Sequence, residues 1–304
     1  MAIDPDFRLD APRLRQRFSR AAETYDNADM LAREISRRME ERLDYIRLTP
    51  RRILDVGCGT GSDLMRLSQR YPDASCFGAD ISRAMLMQAR RRSTPKSSLL
   101  QRLTGRIANG LPLLTADGNA LPVRHASISL VWSNLMLPAL HDPLPALQEA
   151  HRVLETGGLL MFSSFGPDTL RELRSVLPTH AGERVHRFID MHDIGDALVK
   201  AGFSDPVMDM EMLTLTYADL DTLFEDLRAT GGNNAACSRP RGLSGRHGWL
   251  QAREAYEKLR RDGRLPVSVE VIQGHAWKAT AKTVADGRAI MQFHPRSGST
   301  PGKD

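Results

Sequence analysis

The segment Asp55-Val-Gly57-Cys-Gly59-Thr-Gly61, which follows directly on the apolar run 52–56, constrains this chain more than any other feature. A short buried-type strand that opens at once into bare backbone points to an α/β arrangement, with a covering helix after the loop. The spacing separates this loop from other glycine loops. A dinucleotide fold wants G-x-G-x-x-G, whereas this one reads G-x-G-x-G. An aspartate two positions ahead of the first glycine would repel a pyrophosphate, and the Gly-Lys-Ser/Thr of a phosphate loop is absent. A ligand with an amino group, a ribose and an adenine but no phosphate fits better. Bare backbone lets such a ligand approach closely, and Asp55 can meet its ammonium group.

The surrounding pattern supplies the rest of an open sheet. Residues 1–50 read as a helical cap, with Leu31, Ile35, Met39, Leu43 and Ile46 on one face and a shorter helix over Phe18–Asp26 ahead of them. Strands are expected over 52–56, 75–79, 111–115, 128–133 and 159–164. Helices are expected after Gly61, over 83–92 capped by Ser82, and over 143–154, closed by a Gly157-Gly158 turn. Beyond Phe165, a helix should start at Pro167 and run to about 176. Further helices are expected over 192–201, 219–229 and 248–261, with long β-prone runs at 207–216 and 267–277. The expected domain division is a cap (1–50), a cofactor-binding core (51–164), the remaining sheet with helical acceptor-binding insertions (165–294), and a disordered tail (295–304).

Ligands of open parallel sheets bind beyond the carboxyl ends of the strands. Four such ends here carry notable residues: the glycine loop with Asp55, Asp80 with Ile81, Asp117 with Gly118, and Asn134. Asp80 is placed to accept from both ribose hydroxyls and Asp117 from an adenine amino group. Cys58 reads as a small buried residue rather than a nucleophile.

On these residues the chain resembles the class I methyltransferases. Leu54-Asp-Val-Gly-Cys-Gly-Thr-Gly61, Asp80-Ile-Ser82, Ala116-Asp-Gly118 and Leu121-Pro122 fall at the expected strand ends. The resemblance implies a Rossmann-like fold, with a seven-stranded, mostly parallel sheet covered by helices on both faces, N-terminal helices and a helical lid. It implies S-adenosyl-L-methionine as co-substrate and no metal. Gly57, Gly59 and Gly61 would line the methionine part, Asp80 hold the ribose, Ile81 pack on the adenine, and Asp117 and Gly118 read its edge.

The flanks are similar to one family within that class. Phe18-Ser-Arg-Ala-Ala-Glu-Thr-Tyr25-Asp26, Val131-Trp-Ser-Asn-Leu135, His151-Arg-Val-Leu154, Phe162-Ser-Ser-Phe-Gly-Pro-Asp-Thr-Leu-Arg-Glu-Leu173 and Phe188-Ile-Asp-Met-His-Asp193 resemble the malonyl-acyl-carrier-protein O-methyltransferases of biotin synthesis. So do Leu213-Thr-Leu-Thr-Tyr217, Arg239-Pro-Arg-Gly-Leu243 and Gly274-His-Ala-Trp-Lys278. The similarity covers nearly the whole chain. It implies methylation of a free malonyl carboxylate, with Tyr25 lying over the cofactor as the catalytic cover. Met136-Leu-Pro-Ala-Leu-His-Asp142 departs from the Leu-Gln-Trp segment usual at this place, which alters a wall of the acceptor pocket. Two rivals stay open at this point: a related arginine-modifying assembly factor of respiratory complex I, and a small-molecule or quinone C-methyltransferase. A nucleic-acid methyltransferase should show an Asn/Asp-Pro-Pro-Tyr/Phe motif after the fourth strand, and Ser133-Asn-Leu-Met136 is not one.

Charge bears on the acceptor. The 304 residues carry 42 basic against 37 acidic side chains, net +5, and all but six of the basic ones are arginine. A carboxylate is ionised at neutral pH and suits an arginine fork. Arg171, Arg187, Arg241 and Arg264 are the candidates for that contact. Eight basic residues in 239–264, among them Arg260 and Arg261, suggest a docking patch for an acidic acyl carrier protein. His141, His186 and His192 read as polar surface or capping residues. The first ten residues lack the apolar stretch of a signal peptide, and three scattered cysteines fit no disulfide framework. A cytoplasmic monomer without a membrane span or a nucleic-acid partner is the expectation.

Overall fold

The computed structural model describes residues 8–94, 110–177, 182–240, 242 and 245–279. Within them the cap consists of α1 (Ala11–Ala21), the single turn α2 (Tyr25–Ala28) and α3 (Met30–Arg42). Strands and helices then alternate: β1 (Arg52–Val56), α4 (Ser62–Arg70), β2 (Ser75–Asp80), α5 (Arg83–Ser93), β3 (Leu113–Thr115) and β4 (Ile128–Ser133). After a 3-10 turn at Leu137–Ala139 come α6 (Leu144–Val153), β5 (Leu154–Phe165), α7 (Arg171–Val176) and α8 (Met191–Lys200). The chain closes with β6 (Ser204–Tyr217), α9 (Leu220–Ala229), α10 (Arg246–Glu257) and β7 (Leu265–Trp277).

The seven strands form one sheet in the order β3-β2-β1-β4-β5-β7-β6. β1 to β5 are parallel, and β7 runs antiparallel to both β5 and β6. The alternation of side chains along each strand explains two separate cores. Ile53, Leu130, Trp132, Leu159 and Met161 face one way, onto Ile35 and Met39 of α3 and Leu64 and Leu67 of α4. Leu54, Val131, Leu160 and Phe162 face the other, onto Leu147, Ala150 and Val153 of α6 and Ile194 and Leu198 of α8. Strands buried on both faces read as unbroken apolar runs, which is why β1 and β4 occupy the expected residues.

Ser82 caps α5 as its position suggested, its hydroxyl accepting from the Met85 N–H at 3.4 Å. Three local expectations are corrected. The Gly157-Gly158 turn lies inside β5. The pairing of β4 with β5 slips between Ile128–Leu154 and Leu130–Leu159, and the extra residues bulge out at Gly157, at φ +81. Gly157 N–H donates to the Lys278 carbonyl at 2.7 Å, and Lys278 N–H donates to that of Gly158 at 2.9 Å, so the residue that follows β7 holds the bulge in the sheet.

No helix starts at Pro167. The N–H groups of Asp168 and Leu170 go instead to β7, to Glu270 Oε2 at 2.7 Å and the Ser268 carbonyl at 2.8 Å. Leu170 takes φ +59, and α7 begins only at Arg171. The last helix starts two residues earlier than expected and stops at Glu257. Asp262 (φ +47) and Gly263 (φ +73) make a tight turn, bridged by Arg261 and Arg264, that feeds β7. The expected tail at 295–304 lies outside the described residues. Among those described, no helix is long and apolar enough to cross a membrane.

Candidate active site

The sheet order places the carboxyl ends of β3, β2, β1 and β4 side by side, so Asp117, Asp80, the glycine loop and Asn134 stand in a row along one rim. Gly57, Gly59 and Gly61 all have left-handed backbone, at φ +78, +52 and +80. A Cβ on Gly57 would stand 2.7 Å from Met136 Cβ, whereas one on Gly59 would meet nothing within 4 Å. Gly61 lies outside the cavities and serves as the N-cap of α4. Left-handed backbone costs a residue with a Cβ roughly 1–2 kcal/mol, and overpacking adds roughly 1–3 kcal/mol. Gly57→Ala should therefore lower the midpoint of urea unfolding clearly more than Gly59→Ala. Equal shifts would show that Met136 yields freely.

Asp80 organises the loop. Its Oδ2 accepts from the Gly59 N–H at 2.9 Å and its Oδ1 from the Ser82 N–H at 2.7 Å. Burial raises its pKa, and these two donors oppose that shift. Asp80 borders a cavity of about 250 Å³ together with Gly57, Gly59, Ile81, Asp117, Gly118, Asn134 and Tyr25. Ile81 is partly exposed into it, and Met136 closes one wall.

Next to it is a smaller acidic recess of about 40 Å³, lined by Asp29, Asp55, Asp63, Thr60 and Arg33. Asp55 is fully buried, and its Oδ2 has no hydrogen-bond partner. Its carboxyl is pushed well above the usual range, first by burial and then by Asp63 and Asp80. An unpaired carboxylate in such a place is costly, and a cation placed there would offset that cost. Asp63 is better supplied: it accepts from Trp132 Nε1 (3.0 Å), Asn134 Nδ2 (3.0 Å) and Arg66 (2.8 Å). Asn134 in turn donates to the Ala32 carbonyl and accepts from Ser163 Oγ at 2.8 Å. It ties the end of β4 to the cap.

A third, largely apolar chamber of about 190 Å³ opens between the cap, the end of β5 and the α9 loop. Tyr25 borders all three spaces. Its hydroxyl is held far above the ordinary phenol range by burial first, then by Asp63, Asp29, Asp80 and Asp26, so it stays protonated. The next residue locks the cap down. Asp26 accepts from Thr60 Oγ1 of the glycine loop at 2.5 Å and pairs with Arg92 of α5. Ser19 of α1 meets Ser82 at 2.9 Å.

The described sequence candidates for an acceptor cation lie elsewhere. Arg171, Arg187 and Arg264 border none of these three spaces. Arg171 faces Asp168 and Glu172, Arg187 pairs with Glu183, and Arg264 donates to Oγ1 and the carbonyl of Thr216. Arg241 lies outside the described residues. Several arginines of the basic stretch have partners within the chain: Arg239 with Asp10, Arg253 with Asp221, and Arg260 with Glu257. His192 is a surface residue whose ring meets Asp190, the residue that caps α8. His186, in contrast, is buried rather than on the surface. In the segment 185–188, Val185, His186 and Phe188 are buried, and His186 and Phe188 line the apolar chamber.

Comparison with known proteins bears on what such a site serves. Residues 54–162 match a family model described as a methyltransferase domain. A protein of Laribacter hongkongensis, named malonyl-[acyl-carrier protein] O-methyltransferase, is 46% identical over 96% of this chain and 98% of its own length. A Gallionella capsiferriformans protein of the same name is 48% identical over 94% and 97%. The chain belongs to the malonyl-[acyl-carrier protein] O-methyltransferase family.

The fold agrees with that membership. The methyltransferase superimposes on the YcgJ protein of Bacillus subtilis with a TM-score of 0.53 at 15% identity, over 80% of this chain and 98% of that one. A SAM-dependent methyltransferase of Thermotoga maritima gives 0.50 at 17% identity, over 87% and 99%. The assembly-factor and C-methyltransferase readings are not favoured, since relatives matching along the whole chain share the one name. Asp29, Arg33 and Asp63 of this methyltransferase were not among the sequence candidates. Their periodicity marks them as helix residues and says nothing of which helix face looks onto a cavity.

Proposed function

We propose that this methyltransferase transfers the methyl group of S-adenosyl-L-methionine to the free carboxylate of a malonyl group on acyl carrier protein, forming the methyl ester at an early step of biotin synthesis. The observation that carries the reading is the convergence of the larger cavity, the acidic recess and the apolar chamber on the single side chain Tyr25. The residues fit a cationic nucleoside. Unpartnered Asp55 Oδ2 suits an ammonium group, the remaining lone pairs of Asp80 suit a ribose diol, and Ile81, Asp117 and Gly118 suit an adenine face and edge. Arg33, paired with Asp29 at 2.8 Å, suits the amino acid carboxylate.

When bound, S-adenosylmethionine supplies an electrophilic sulfonium methyl, which passes to a carboxylate oxygen as the C–S bond breaks and leaves its electron pair on sulfur. No proton has to move, because the acceptor is already ionised at neutral pH. The chain's own work is placement and exclusion of water. The glycine loop and Asp80 fix one partner, and the cap keeps the path dry. Opposite charges disappear along that path, so a low-dielectric site favours the transition state over a solvated carboxylate.

The test is methyl transfer from labelled S-adenosylmethionine to malonyl-carrier protein, read as base-labile ester. Acetyl-carrier protein, which has no free carboxylate, should take none. Cofactor binding without ester formation from malonyl-carrier protein would overturn the reading, and malonyl-coenzyme A run in parallel shows whether the carrier is needed.

A further inference from the structure

A malonyl group seated in the apolar chamber would meet no lysine or arginine there; the charged lining residues are Asp29, paired with Arg33, and Asp226. The chamber's one histidine is His186, nine-tenths buried. The ring is braced from one side by Phe188, 4.7 Å away between centroids at 62°, and Phe188 leans in turn on Phe165 at 5.6 Å. Among the described residues, neither ring nitrogen of His186 has a hydrogen-bond partner. An imidazole held in place at the chamber wall, with no partner for its ring nitrogens among the described residues, can hydrogen-bond a ligand oxygen there.

We propose that the apolar chamber seats the malonyl group and that the His186 ring N–H donates to one of its oxygens, positioning the acceptor in place of the cation that a carboxylate substrate suggests. This rests on the function proposed above. The ring is kept neutral: burial, and then the nearby Arg17 and Arg174 guanidiniums, pull its pKa down to about 4. Those two cations stay behind the wall. Arg174 donates to the carbonyls of Pro167 and Thr169, and to that of His186 at 3.5 Å. Arg17 donates to those of Asn233 and Asn234.

A neutral donor has a chemical advantage over an ion pair here. A guanidinium clamped on the carboxylate would stabilise the reactant more than the transition state, in which the negative charge is vanishing, and so would slow attack. A single N–H orients the group and leaves its charge available. Thr169, the neighbouring hydroxyl, is already committed: it donates to the Glu270 carbonyl at 3.2 Å and accepts from the Glu270 N–H at 3.0 Å.

The test compares wild type, His186→Leu and His186→Asn in ester formation from malonyl-carrier protein, with S-adenosylmethionine affinity and thermal melting measured alongside. The leucine variant should raise KM for the carrier substrate by about tenfold or more. Its cofactor affinity should not change, and its melting temperature should stay close to that of wild type, since leucine keeps the apolar wall filled. The asparagine variant keeps an N–H and should restore KM to within about threefold of wild type. A His186→Leu enzyme with wild-type KM, or an asparagine variant no better than leucine, overturns the assignment while leaving the proposed function intact. A wild-type enzyme that forms no ester overturns both.

Discussion

Asp80→Ala is expected to weaken S-adenosylmethionine binding by roughly 100-fold. Hydrogen bonds to a charged group contribute about 1.5–3 kcal/mol each, and a ribose diol would make two of them to this carboxylate. At about 1.4 kcal/mol per tenfold, the loss reaches two orders of magnitude or more. The substitution also releases the Gly59 and Ser82 N–H groups, which Asp80 accepts at 2.9 and 2.7 Å. The loop and the start of α5 therefore loosen together. Asp80→Asn should recover only part of the loss, because its amide nitrogen must face one of those two N–H donors. Calorimetric titration with the cofactor, beside circular dichroism to confirm the fold, measures this. Affinity within threefold of wild type in the alanine variant would remove Asp80 from the ribose site.

Features legible in the sequence are those whose causes are local. β1 and β4 are apolar runs bounded by turn residues, and the Ser82 cap needs only the next turn of chain. The row of Asp117, Asp80, glycine loop and Asn134 follows from strand order once the sheet is parallel. The Gly157 bulge and the delayed start of α7 are set by Lys278, Ser268 and Glu270, about 100 residues away in the chain, and no local pattern reports such partners. The arginine candidates illustrate a further limit. A carboxylate substrate suggests an arginine, but Arg171, Arg187 and Arg264 find acceptors within the chain itself, most of them close in sequence. His186 was legible as a residue but not as a buried one, because it sits in a loop where no periodicity shows which way a side chain turns.

Tyr25 should show the largest effect on turnover, and two substitutions divide its roles. Tyr25→Phe keeps the wall and removes the hydroxyl. Turnover should fall by about tenfold, the worth of one hydrogen bond in a dry site, while cofactor affinity stays within a few-fold. Tyr25→Ala removes the one side chain common to the larger cavity, the acidic recess and the apolar chamber. Water then reaches the malonyl carboxylate, and the restored solvation raises the barrier, so turnover should drop by roughly 100-fold or more. Affinity for the cofactor should weaken as well, because the lid over the recess has gone. The pH profile separates orientation from acid-base chemistry. Burial and four surrounding aspartates hold the Tyr25 hydroxyl far above its ordinary value, so the folded enzyme keeps it protonated past about pH 10, where a free phenol ionises. The folded pKa is the raised one, so any stability linked to this group is present below the free value and is lost only as the pH climbs above it. Wild-type turnover should accordingly be flat from neutrality to about pH 9, with the phenylalanine variant lower but parallel. A break in the wild-type profile that vanishes in Tyr25→Phe would make the phenol a titrating catalyst, and unchanged turnover in Tyr25→Phe would leave the residue a wall alone.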